Sequence, residues 1–183
     1  MSRTRLATSL LSLALAACAA ETKKPVVSME EWTQPTEQHK ELSAGAGEWE
    51  GTLTVFGEHA TPAPIPAQEK VEAVGSFWLQ SRFTCDFMGM PYVGTGCVGY
   101  DPATKKYVGT WVDNTSSYFA LMEGQKDASG KLVLHWMAPD EKTGVPIPHR
   151  SESVETADGR VMTFYMGEGA GTKSMVIEMK RKR

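Results

Sequence analysis

The chain has 183 residues, 41% of them hydrophobic and 22% charged, with a net charge of −3. That is enough for one domain with a real core. The weakly acidic balance excludes a nucleic-acid footprint, because the only basic cluster is Lys180-Arg181-Lys182-Arg183, which reads as solubilising charge at the end of a last strand.

Ser2-Arg3-Thr4-Arg5 forms a basic n-region, and residues 6–17 form an apolar run too short to span a bilayer. The run ends in Leu15-Ala16-Ala17-Cys18, which resembles a bacterial lipobox, where cleavage precedes a cysteine whose thiol is lipidated. Ala19 stands where an inner-membrane retention signal would have Asp, so an outer-membrane lipoprotein facing the periplasm is expected. A soluble periplasmic protein is the alternative. The expected division is a signal peptide over residues 1–17, a tether over 18–35 and a folded domain over 36–183. With no second long apolar segment, contact with the membrane rests on the lipid anchor at Cys18.

Thr36 is a candidate N-cap for a short helix starting at Glu37, with Gly45 or Gly47 as its stop. Residues 48–56 follow as a strand with Trp49, Leu53 and Val55 on one face. Pro62, Pro64 and Pro66 stiffen the next loop. Residues 67–75 alternate again. The centre of the chain, residues 77–114, reads as three antiparallel strands. In the first, Phe77, Leu79, Phe83, Cys85 and Phe87 share a face opposite Trp78, Gln80, Arg82, Thr84 and Asp86. Taking Met90-Pro91-Tyr92 as the tip of the hairpin makes the register symmetric about Pro91 and sets Cys85 opposite Cys97. In an oxidising compartment that predicts a Cys85–Cys97 disulfide. Asp101-Pro102-Ala103-Thr104 is a type I turn signal.

Further strands are expected over residues 117–124, 131–138, 149–156, 160–167 and 172–181, with hairpin turns at Ala157-Asp158-Gly159 and Gly169-Ala170-Gly171. About ten short strands without a crossover helix exclude parallel βαβ units. A meander of this length closes on itself. The predicted fold is all-β: a single closed antiparallel up-and-down barrel with a short N-terminal helix.

Certain segments carry a family resemblance. A short helix before Gly47-Glu48-Trp49 looks like the opening of lipocalin-like barrels. Gly51, Gly75 to Phe77, Met88-Gly89-Met90-Pro91, Gly94-x-Gly96, Gly99-Tyr100-Asp101, Lys105-Lys106-Tyr107-Val108 and Thr110-Trp111-Val112-Asp113-Asn114 extend the match from His39 onward. Together they resemble the bacterial DUF1579 family of uncharacterised proteins. The resemblance implies a lipocalin or calycin-like barrel and carries no activity, cofactor or catalytic residue with it.

Chemical motifs are sparse. Asp101 and Asp113-Asn114 read first as turn residues bonding local backbone, and as a pair of acids at one rim second. The histidines show no metal-ligand spacing, so no metal and no cofactor are expected. Haem, held by some other small lipocalin-like barrels, would need an inward histidine, for which His135 is the candidate. Met162, Met166, Met175 and Met179 alternate on the last two strands with Phe164 and Ile177, as a pliable cavity wall or as plain packing. The expected ligand-facing stripe is Trp49, Leu53, Phe83, Phe87, Phe164, Met166, Met175 and Ile177. The leading functional expectation is non-catalytic binding of a small apolar or amphipathic ligand. The alternative is a structural or protein-interaction module of the envelope with a filled barrel. No residue is assigned a catalytic role.

Overall fold

The computed structural model describes residues 26–156 and 158–183. The expected signal peptide and Cys18 lie outside the described residues. Ten antiparallel strands close into one up-and-down barrel: β1 (Gly47–Val55), β2 (Ile65–Val74), β3 (Trp78–Phe87), β4 (Met90–Asp101), β5 (Lys106–Asp113), β6 (Ala120–Lys126), β7 (Leu132–Pro139), β8 (Pro146–Glu155), β9 (Gly159–Met166) and β10 (Thr172–Arg181). Each strand pairs with its neighbours in sequence, and β10 closes the ring against β1, with Leu53 opposite Ile177. Closure gives each of the ten strands a neighbour on both sides.

Among the described residues, two short helices precede the barrel. The first, α1 (Met29–Thr33), lies in the segment expected to be a tether and starts at a capping box between Ser28 and Glu31. The second, α2 (Glu37–Ser43), starts at Thr36 as expected. Here the third helical position is His39, whose Nδ1 accepts from the Thr36 backbone N–H at 3.0 Å while its Nε2 lies 3.1 Å from the Tyr100 carbonyl. His39 is thus buried and pins α2 against the barrel.

The β3–β4 hairpin departs from expectation. Phe87 pairs with Met90, so the turn is the two residues Met88-Gly89, both with positive φ (54° and 82°). Such a turn matches the right-handed twist of the flanking strands, which a turn centred on Pro91 does not. Pro91 instead sits within β4, where that strand overhangs β5, whose ladder begins at Gly94 opposite Asp113. The predicted disulfide is therefore overturned. Cys85 pairs with Tyr92 and Cys97 with Gln80, and both thiols are free. The odd offset between them puts the cysteines on opposite faces of the sheet. They are about 17 Å apart along the strands, far beyond the roughly 7 Å Cα limit for a bridge.

Alternate connections of a meander share an end. The end where α2 enters is closed. Trp49 is buried there, and its Nε1–H donates to the Gly45 carbonyl at 3.1 Å. Guanidinium groups of Arg160 and Arg181 lie over the Trp49 ring, each 4.5 Å from its centroid. Arg181 also donates to the carbonyls of Ala44 and Ala46, and Lys126 on β6 pairs with Glu41 of α2. Glu69 points inward beside Ala67 and Val71 and bonds Arg160, which neutralises both buried charges.

Candidate functional site: the mouth of the barrel

At the opposite end the inward side chains lose their cover. On β1, Trp49 and Leu53 are buried but Val55 is half-buried; on β2 the same change runs from Val71 and Ala67 to Ile65. On β3 it runs from Leu79 and Phe83 to Cys85 and Phe87, and on β10 from Met179 and Ile177 to Met175. On β7 and β8, buried Leu134 and Ser151 give way to half-buried Trp136 and His149. Ala120, opposite Trp111, stays buried near the mouth, and on β7 to β9 the inward residues nearest the base, Leu132, Ser153, Met162 and Arg160, are themselves half-buried. Along β1, β2, β3 and β10 the barrel is packed at its base and accessible toward its mouth.

Family-like motifs build one wall of this mouth. Gly94 and Gly96 are buried on β4, and a Cβ on either would overlap the indole of Trp111. The two glycines therefore form a flat bed on which Trp111 lies against the inner wall. Its Nε1–H donates to the Tyr92 hydroxyl at 3.2 Å, and that hydroxyl donates to Asp113 Oδ2 at 3.3 Å. Burial pushes the Tyr92 phenol pKa strongly upward, so it stays protonated. Asp113 Oδ1 accepts from the Thr115 backbone, while Asn114 bonds the Val93 N–H and the Pro91 carbonyl. The Gly-x-Gly and Thr-Trp-Val-Asp-Asn segments thus lock β4, β5 and their loop together. Asp101 caps the turn after β4 at the base, accepting from the Ala103 and Thr104 backbone N–H groups. The two acids sit at opposite ends, and each serves its own turn.

The facing wall comes from β7 to β9. Trp136 stacks on His149 with centroids 5.4 Å apart and meets Phe164 edge-on at 6.4 Å. His149 is the inward histidine; His135, expected to be inward, is exposed on the outer face. The parity was available in the sequence, since Leu132, Leu134 and Trp136 share the apolar face and leave His135 on the other. Burial lowers the His149 pKa. Among the described residues no group of three or more His, Cys, Asp or Glu is placed to hold a metal, and no helix is long and apolar enough to cross a membrane.

Of the stripe predicted from the sequence, Trp49, Leu53, Phe83 and Ile177 belong to the buried core, and Phe87, Phe164 and Met175 pack half-buried against it. Met166 lies apart at the rim, 40% exposed. Tyr92, Trp111, Trp136 and His149 are mouth residues that the stripe omitted. A separate groove of about 1190 Å³ takes no lining from the stripe. Its walls are mainly outward-facing residues such as Thr52, Gln68, Thr84, Val93 and Glu178, so it lies on the outside of the barrel.

A family model described as "Protein of unknown function (DUF1579)" matches residues 34–183. No curated protein matches the chain.

Proposed function

The chain belongs to the DUF1579 family of proteins of unknown function, and from that premise we propose that it is an exported lipoprotein whose barrel takes up a small apolar or amphipathic molecule through its mouth. The observation that supports uptake is the gradient along the strands. Val55, Ile65, Phe87, Trp111 and Met175 face inward and yet keep partial access to solvent, whereas on the same strands inward residues nearer the base, such as Trp49, Val71, Leu79, Tyr107 and Met179, are buried. Apolar walls with a few fixed polar groups, here Tyr92, Asp113 and His149, are the usual composition of a small-molecule site. Methionines at the rim and wall adapt to ligands of varied shape.

The address rests on Leu15-Ala16-Ala17-Cys18 behind a basic n-region. In this reading Cys18 carries the lipid, and Ala19 directs the protein to the outer membrane. Cys18→Ser should move the protein from the membrane fraction to the soluble fraction; retention of the variant at wild-type levels would remove the anchor from the proposal. Uptake is tested by titrating 1-anilinonaphthalene-8-sulfonate into the purified protein, with native mass spectrometry for a co-purified ligand. Saturable binding at one site is the expected result.

A second reading, a protein-interaction module of the envelope, draws on the outer surface. Phe119 just before β6, Leu121 on β6 and Met137 on β7 are 53%, 67% and 50% exposed, and the groove across the outer wall adds a further concave surface. Absence of saturable probe binding would put this reading first.

A further inference from the structure

One element forms no part of the barrel or its mouth. Helix α1 is five residues long, and none of them is buried. Helices this short are not stable in water without a surface to lie on, and the Ser28–Glu31 capping box supports only the first turn. The apolar side chains are arranged for such a surface. Met29 and Trp32, three positions apart, share a face and are 74% and 45% exposed, while Glu30 and Glu31 lie on the other side. Val26, just upstream, is 100% exposed and continues the spacing. A bare tryptophan beside other bare apolar groups suits a membrane–water interface, where the indole N–H stays wet and the ring enters the apolar layer.

We propose that α1 lies flat on the lipid surface of the membrane, seating Val26, Met29 and Trp32 among the headgroups, and so turns the base of the barrel toward the membrane and the mouth away from it. The proposal rests on the lipoprotein reading above, because chain length decides the occupant. Val26 stands eight positions beyond Cys18, so it stays within at most about 28 Å of a lipid on that cysteine. With that lipid already in the bilayer, contact by α1 becomes an intramolecular step, for which a few apolar side chains suffice. Glu30 and Glu31 face away from the lipid, so the contact is apolar rather than electrostatic. Orientation follows from the link to the barrel. Only Gln34, Pro35 and Thr36 separate α1 from α2, and His39 of α2 is fixed to the Tyr100 carbonyl at the base. Contact at α1 therefore leaves the mouth facing the periplasm, open to ligands that arrive from solution.

The test places the full protein, purified from membranes, in phosphatidylcholine vesicles with and without bromine on the acyl chains, since bromine quenches a tryptophan that meets it. Trp32 is one of five tryptophans. Wild-type emission should fall in brominated vesicles by up to one tryptophan's share, and Trp32→Phe should abolish the fall. The four tryptophans left, with Trp111 and Trp136 of the mouth among them, should then be equally bright in either lipid. Met29→Glu, on the same face, should reduce the quenching of Trp32 while the protein stays on the vesicle. Both positions are exposed, so neither change threatens the barrel. Vesicle-bound wild type without quenching overturns the contact and leaves the lipid anchor standing. Quenching undiminished by Trp32→Phe means that other tryptophans meet the lipid, and overturns it too. Protein that carries no lipid and stays off the vesicles overturns both the contact and the anchor.

Discussion

Met179 and Met175 sit four positions apart on β10, on the same face, and experience different molecules. Met179 is 2% exposed beneath Trp49 and beside the Arg160–Glu69 pair. Met175 is half-buried opposite Phe164, near the mouth. The base is a finished core, with charges paired and α2 seated over it. The mouth is a wall with a free face. One barrel therefore divides its strands between stability and access, as expected when binding surfaces are drawn from the less densely packed part of a fold.

The largest effect should come from disturbing the base electrostatically. Glu69→Ala strands Arg160 in a buried site and should cost about 3–5 kcal/mol in a denaturant melt. Glu69→Leu combined with Arg160→Met should recover most of that loss. A double variant as unstable as the single one would show that the pair does more than neutralise itself.

Next in size is the methionine comparison itself. Met179→Ala should destabilise by about 2–5 kcal/mol, the range for a large-to-small change in a packed core. Met175→Ala should cost well under half as much, since one side of that side chain has little packing to lose. Equal losses would mean that the barrel is filled along its whole length and that the base and mouth do not differ in kind.

Met175→Trp probes the free face directly. In an accessible mouth it should abolish 1-anilinonaphthalene-8-sulfonate binding with little change in the melt. In a filled barrel the added volume overpacks the core, at about 1–3 kcal/mol.

The smallest effect concerns the cysteines. With Cys85 and Cys97 on opposite faces, adding reductant should leave the denaturation midpoint where it was, whereas loss of a bridge closing such a loop would cost about 3 kcal/mol. Burial raises both thiol pKa values, so alkylation of the native protein at neutral pH should be slower than that of a free cysteine. A midpoint that falls on reduction would contradict the hairpin register.

The sequence by itself determined the architecture. Period-2 alternation, turn residues at short intervals and the absence of any crossover helix admit a closed antiparallel meander and little else, and the DUF1579 motifs were visible as written. It also determined which residues of β1, β3, β9 and β10 face inward, because side-chain parity is a local property of a strand. The β3–β4 register was not legible: it depends on Met88 adopting a left-handed conformation that methionine does not advertise, and a turn placed elsewhere moves every cross-strand partner. Likewise the purpose of Gly94 and Gly96 appeared only once Trp111 was laid across them from the next strand. The division into sealed base and accessible mouth was decided by tertiary structure alone. It arises from α2, Trp49 and Arg181 converging on one end while the other end carries loops and one short 3-10 turn, Gly57–His59, and convergence of residues so far apart in the chain is a property of closure rather than of any local pattern.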